Sequence, residues 1–493
     1  MINRSLKSFK KNHRKKKNQV IYSYLKVKNE NFLINLINNF LKVKNSFVFE
    51  SVEKGKIRGR YTIFGKDPDK IWEFNNNQVY SINKNKKKKL KGNPEKLIEK
   101  IIEDFKFKVP RSVPPISSII SGYFSYDIIR YIEKIPNSCK NDLNLPDVRL
   151  VRPVKLIIYD NLKKKIFFIV NCFKDEKINN YQKKYQDLQN EIENLIFLST
   201  FDININSNRL KKENIKIKSN ISKKKFLTNV NKAKKYIKIG DIFQVVLSQR
   251  FEAKLTKNPI EIYKKLRVTN PSPFMYFFNF EDFQIIGASP EILVRLRNGQ
   301  VTIRPIAGTR PRGKNKKEDI SLEKSLLKDK KELAEHLMLL DLGRNDVGKV
   351  STINSVKVTE KFKIERYSHV MHIVSHVEAE LSDKYNAYDV LRSAFPAGTV
   401  SGAPKVRAMK QISEKEPFER GPYSGAVGYF SFDGSMDTAI AIRTIVLKEN
   451  TAIIQAGAGI VADSDPETEH KECLAKMGAL IKALEYAEKS ENP

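Results

Sequence analysis

Residues 224–251 read KKFLTNVNKAKKYIKIGDIFQVVLSQRF, and two kinds of pattern follow each other inside them. The first part has the composition and spacing of a helix, Gly240 stops it, and DIFQVVLSQRF continues as a strand rich in β-branched and aromatic residues. Downstream, strands and helices are mixed rather than strictly alternating, which predicts an α+β protein with large antiparallel sheets. Upstream, FVFESV (47–52), RYTIFG (60–65), VKLIIYD (154–160) and KIFFIVNCF (165–173) read as strands bounded by turn formers. The polar, Lys- and Asn-rich residues 174–222 read as a helix and a linker. This divides the chain into a basic tail at 1–17 expected to be disordered, a domain at 18–173, the helix and linker, and a second domain at 223–487. GYFSYD (122–127) recurs as GYFSFD (428–433), which suggests a shared strand-to-turn element in the two halves.

The 493 residues carry a net charge of +35, which raises the question of nucleic acid. The excess is uneven. Residues 1–20 hold eight Lys or Arg and no acid, and KNKKKKLK (84–91) is a second block, but from 381 onward acids outnumber bases, 16 to 13. The excess is mostly Lys beside abundant Asn and Ile, so it reads as a solvated surface and not as a polyanion site. There is no RNP-type aromatic motif and no helix-turn-helix signature. No run of about 18 apolar residues predicts a membrane helix, and the basic N-terminus lacks the apolar segment of a secretory signal. Cys139, Cys172 and Cys473 lie far apart without paired spacing, as expected of a reducing, cytoplasmic compartment.

KDKKELAEHLMLLDLGRND (328–346) reads as a helix with Leu333, Leu337 and Leu340 on one face and Glu332 and Glu335 on another. A second helix begins at Asp465-Pro466, with Asp as cap and Pro at the first position. Along it Glu469, Glu472 and Lys476 form one stripe, and Cys473, Met477, Leu480 and Leu484 form a buried one. Acidic stripes on helices are commonly solvent-facing; beside glycine-rich loops they also suit Mg²⁺, which takes few carboxylates and keeps waters. Those loops are FPAGTVSGAPK (395–405), RGPYSGAVGYF (420–430) and QAGAGIVADSDPE (455–467). No dinucleotide fingerprint or Walker sequence is present, so their glycines read as letting backbone N–H groups approach a small anion. His369, His372 and His376 lack the E-x-x-H context of a zinc site.

Taken together and in order, PSPFMYFF (271–278), GASPE (287–291), RPIAGTRPRG (304–313), AEHLMLLDLGRND, FPAGTVSGAPK, the GAG loop and EHKECLAKMGAL resemble the chorismate-utilising enzymes, most closely their anthranilate synthase component I branch. FESVEKGKIRGRYTIFG (49–65) is similar to that branch's N-terminal region. The resemblance implies two large antiparallel β-sheets packed as a sandwich with flanking helices. It also implies amination of chorismate to anthranilate with loss of pyruvate, the committed step of tryptophan biosynthesis. It places Glu335 and Glu472 on Mg²⁺, with Glu332 and Glu469 outside them, and the metal on the substrate's ring carboxylate. Gly308, Thr309, Tyr423, Arg443, Gly457, Ala458, Gly459 and Lys476 would hold the carboxylates and the enolpyruvyl arm. Glu291 would be the general acid for the departing hydroxyl, which needs a raised pKa, and His372 would assist the later proton removal, with Thr399 and Gln244 in the same catalytic group. Relatives that add water carry a lysine base where Gln244 stands, and those that make 4-amino-4-deoxychorismate, the alternative reading, typically carry a nucleophilic lysine where Ala307 stands. The basic, glycine-containing loop at 304–313 would then meet the dianionic substrate and its metal. A separate glutamine amidotransferase subunit is implied as ammonia source, giving a hetero-oligomer. Ser51, Pro273, Phe274 and Met275 match the branch's tryptophan-inhibition site, where Phe274 replaces a frequent Tyr.

Overall fold

The computed structural model describes residues 3–28, 30–51, 59–83, 86–200, 215–367 and 370–488. Two antiparallel layers form the centre. The first runs in the order Gln19–Lys26, Lys165–Cys172, Val148–Asp160, Tyr61–Asn75, Ser46–Glu50, Phe274–Asn279, Phe283–Ser289, Thr444–Lys448, Thr451–Ile460 and Gln244–Lys254. The second joins Gln78–Asn83, the far halves of Tyr61–Asn75 and Val148–Asp160, Ile119–Phe124, Ala426–Ser431, Met436–Ile440, Ile292–Arg297, Gln300–Ile303 and Val370–Glu380. The two long strands pass from layer to layer. Their register breaks between Pro68 and Lys70, beside Asp67 at φ 52°, so one pair of strands serves both sheets.

Strand periodicity explains the cores. Tyr276 and Phe278 face the space between the layers with Phe47, Tyr123, Ile158 and Val427, while Met275 and Phe277 point the other way. The outer face of the first layer is covered by Leu6–Arg14, Phe32–Phe40, Tyr181–Thr200, Pro259–Thr269 and Pro466–Glu488. The second layer packs against Pro94–Glu103, Lys330–Gly348 and Ala387–Ala394, while Lys223–Lys238 and Lys405–Lys415 pack at the Gln244–Lys254 end of the first. This is the expected α+β sandwich, buried on both faces.

Four expectations change in detail. The tail at 1–17 contains the helix Leu6–Arg14, whose Phe9 is fully buried against the rings of Tyr181 and Tyr185. Contacts of His13 with the Tyr181 hydroxyl and Glu176 O, and a hydrogen bond from the Tyr185 hydroxyl to Arg4 O, hold it beside those rings. Residues 18–173 and 223–487 do not build separate cores: Ser46–Glu50 pairs with Phe274–Asn279, and Ile119–Phe124 with Ala426–Ser431. In that second pairing the echoed motifs meet in register, Gly122 opposite Gly428, and a Cβ on either would run into a neighbouring backbone carbonyl at about 2 Å. On Lys330–Gly348 the buried face is His336, Leu339, Leu340, Gly343 and Val347, and Leu337 is 44% exposed. Finally, Ile306–Pro311 forms a strand despite its glycine and terminal proline, because a bulge at Gly308 (φ 69°) absorbs the misfit.

Candidate active site

The site forms where Gln244–Lys254 and Thr451–Ile460 pair beneath the helices Lys330–Gly348 and Pro466–Glu488. Ser248 stands opposite Gly457 and Val246 opposite Gly459, so the two glycines share a face and Ala458 points into the core. A Cβ on Gly459 would lie 2.7 Å from Gln244 Nε2, and one on Gly457 3.0 Å from the Tyr423 hydroxyl. Both positions need glycine for that closeness. Gln244 Nε2 donates to Glu335 Oε1 at 3.1 Å, while Gln244 Oε1 is buried without a protein partner among the described residues. An unpaired buried amide oxygen beside a carboxylate is where a donor on a small molecule would be received.

Glu291 accepts the Thr399 hydroxyl at Oε1, 3.0 Å away. Burial pushes its carboxyl up to about 8, against the downward pull of Thr399 and the Lys476 charge. Near neutral pH it therefore carries a proton, as a general acid must. His372 Nδ1 lies 3.1 Å from Gly308 O and 3.0 Å from Thr309 Oγ1. A carbonyl can only accept, so Nδ1 bears the hydrogen and Nε2 keeps its lone pair. Burial holds the His372 pKa below its usual value, and the Arg443 charge adds to this. The ring is neutral and basic at Nε2.

Cations gather on the other side. Lys476 Nζ donates to Gly457 O at 2.9 Å and pairs with Glu472 at 2.6 Å. Arg443, at φ 53°, donates to Lys476 O and is largely withdrawn from water, which strengthens its grip on an incoming carboxylate. The neighbouring Tyr423 hydroxyl is pushed up to about 12 by burial and so stays a donor.

Four carboxylates face one another across the two helices. Burial lifts Glu335 above the usual carboxylate range, and the charges of Glu332 and Glu472 lift it further; Glu469 is raised by burial and by Glu472. Among the described residues no three His, Cys, Asp or Glu side chains stand together as a metal-binding group. Glu472 instead leans on Lys476, and Glu332 accepts Arg310 Nη1 at 3.1 Å. Mutually repelling carboxylates in a half-buried cleft fit a cation held by one or two of them and otherwise by water, which is Mg²⁺ chemistry.

A family profile described as chorismate binding enzyme matches residues 45–482. The chain belongs to that family. It is 47% identical over 458 residues to anthranilate synthase component 1 of Acetivibrio thermocellus, covering 92% of this chain and 93% of the relative. It is 43% identical over 488 residues to the protein of that name from Cereibacter sphaeroides, covering 98% of each. The crystal structure of anthranilate synthase component I from Streptococcus pneumoniae superposes with a TM-score of 0.77 at 38% identity, over 86% of this chain and 93% of the other.

Within this chorismate-binding fold the arginines of residues 304–313 are taken up by protein acids. Arg310 pairs with Asp329 and Glu332, Arg312 with both oxygens of Asp319, and Arg304 with Glu365. Three cations on one short segment are each neutralised locally, so what this loop offers a ligand is the Gly308-Thr309 backbone and hydroxyl beside His372. His376 Nε2 lies 3.3 Å from Glu378 Oε1, and His369 lies outside the described residues. Met275 pairs with Glu50, which brings Pro273, Phe274 and Met275 beside Ser51. Phe274 also pairs with Ser289, whose hydroxyl oxygen accepts the Glu291 N–H at 3.3 Å. Ser248, Glu416, Arg420 and Gln455 are buried behind the site and were assigned no role by the sequence, although Arg420 and Gln455 open two of the glycine-rich segments; their burial is what marks them.

Proposed function

We propose that the chain aminates chorismate with ammonia to give anthranilate and pyruvate. The observation that carries this is the Gln244–Glu335 hydrogen bond: a neutral amide stands where a water-activating amine would be needed, and Ala307 offers no covalent nucleophile. Ammonia needs neither. It attacks C2 as the C4 hydroxyl leaves with the proton of Glu291, and the neutral Nε2 of His372 then takes the C2 proton as pyruvate is eliminated. Arg443, Tyr423, Lys476 and the Gly457–Gly459 backbone orient the two carboxylates. Glu335 and Glu472 would hold Mg²⁺, which supplies charge neutralisation at the ring carboxylate. We further infer a cytoplasmic enzyme fed with ammonia by a glutamine amidotransferase subunit and inhibited by tryptophan at Ser51, Pro273, Phe274 and Met275. Purified protein given chorismate, Mg²⁺ and an ammonium salt should develop anthranilate fluorescence. A 4-amino product, or none, refutes the assignment.

A further inference from the structure

Arg420 and Glu416 form an ion pair behind the site with side-chain exposures of only 1% and 6%. The contact is a fork: Arg420 Nε donates to Glu416 Oε2 at 2.9 Å and Nη2 to Oε1 at 2.6 Å. Two further guanidinium hydrogens reach backbone, Nη1 to Val400 O and Nη2 to Val246 O, both at 2.8 Å, and Nη1 also donates to Ser424 Oγ at 3.4 Å. Glu416 Oε1 also accepts the N–H and the hydroxyl of Ser248, each at 2.8 Å, and Gln455 Nε2 donates to that hydroxyl oxygen at 2.8 Å. The guanidinium carbon lies 4.7 Å from the centre of the Tyr126 ring and 5.5 Å from that of Tyr423.

Every one of these bonds ends beside a residue of the site. Val400 follows Thr399, and Val246 lies two residues along the strand from Gln244. Ser248 stands opposite Gly457, and Gln455 precedes it by two on the same strand. Tyr423, three residues after Arg420, rests against the guanidinium. We propose that the Arg420–Glu416 pair is a positioning element that registers these four segments against one another, so that Thr399, Gln244, Tyr423 and the Gly457–Gly459 backbone meet the substrate as one surface. A buried ion pair is a poor way to add stability, since desolvation offsets most of its attraction and apolar side chains of similar volume often serve the fold as well. Apolar side chains cannot hold two backbone carbonyls and a serine at hydrogen-bond distance; a planar fork of donors with a carboxylate can.

The inference rests on the aminating activity proposed above. Its test compares melting temperature, kcat and the KM for chorismate in wild-type protein, in the apolar replacement Arg420→Met with Glu416→Leu, and in Ser248→Ala. The apolar pair should lose about a hundredfold in kcat, with KM for chorismate raised, even where its melting temperature matches the wild type, as misplacement by about an ångström does. Ser248→Ala, which only cuts the link from Glu416 to Gln455, should fold normally and lose about tenfold in kcat. A folded apolar pair turning over at the wild-type rate overturns the proposal. If that pair does not fold, Ser248→Ala decides alone, and wild-type kcat in it is refuting. Wild-type protein that makes no anthranilate overturns the activity itself, which separates the two failures.

Discussion

Replacing Glu291 with glutamine removes one ionisation and little else. The shape is conserved, and the Thr399 hydroxyl at 3.0 Å can donate to a carbonyl oxygen in either side chain. In the wild type, burial moves the acid from 4.5 to about 8, so the folded chain binds this proton more tightly than the unfolded chain does. The contribution of Glu291 to stability is therefore whole below about pH 4.5 and is lost as pH rises through about 8. The slope is about 1.4 kcal/mol per pH unit, or about 5 kcal/mol over the window. Glutamine has no such window. A chain this long need not unfold in one step, so the useful quantity is the difference in thermal midpoint between variant and wild type at each pH. Between about pH 4.5 and about 8, the two pKa values, the variant's midpoint should climb relative to the wild type. Over the same range its kcat should lie about 10²- to 10⁴-fold lower, the usual size of a general-acid contribution. Wild-type kcat should decline above about pH 8 as the acid ionises. A constant offset between the two midpoints, or a variant that keeps its turnover, refutes the reasoning.

Glu335→Gln or Glu472→Gln should leave the fold intact and reduce kcat at modest Mg²⁺ by at least about a hundredfold, since each removes one of few charged ligands; near-normal turnover in either speaks against the metal assignment. Gln244→Lys should give some isochorismate-type product from chorismate in the absence of ammonium, detectable by chromatography, because burial at this position lowers the amine's pKa and lets it activate water. Wild-type protein doing the same would count against the role given to Gln244. Ser51→Phe should weaken tryptophan inhibition while keeping most basal activity, and an unchanged inhibition curve would move the inhibitor elsewhere.

Much of the site was legible because helix and strand periods are local. Asp465 caps its helix as its sequence suggests, accepting the Thr468 N–H and hydroxyl, and Cys473, Met477, Leu480 and Leu484 form the buried stripe along it. Glu332–Glu335 and Glu469–Glu472 follow from the same spacing. What failed was phase and partnership. Leu337 is on the exposed face because His336, held by Ser375 at 2.7 Å, takes the inward position that a leucine was expected to fill. The fates of Arg310 and Arg312 depend on acids 7 to 22 residues away that the fold brings back. Arg420 has Glu416 four residues before it, but its other anchors, Val246 O and Val400 O, belong to segments that only the fold brings together. The disordered-tail reading weighed eight basic residues in the first 20 above one phenylalanine, and the buried ring decided otherwise.

The strands that pair across the two halves of the chain also constrain how it comes into being. Ile119–Phe124 is flanked by Val148–Asp160 and by Ala426–Ser431, so one of its edges waits for a segment made near the end of synthesis. Ser46–Glu50 waits likewise for Phe274–Asn279. A ribosome-bound first half therefore presents two open, apolar strand edges with nothing yet made to cover them, the condition under which nascent chains aggregate or engage chaperones. Pairings of such high sequence separation also place folding among the slow topologies. Cutting the gene near residue 200 should accordingly yield two insoluble halves, and soluble protein only when both are produced together.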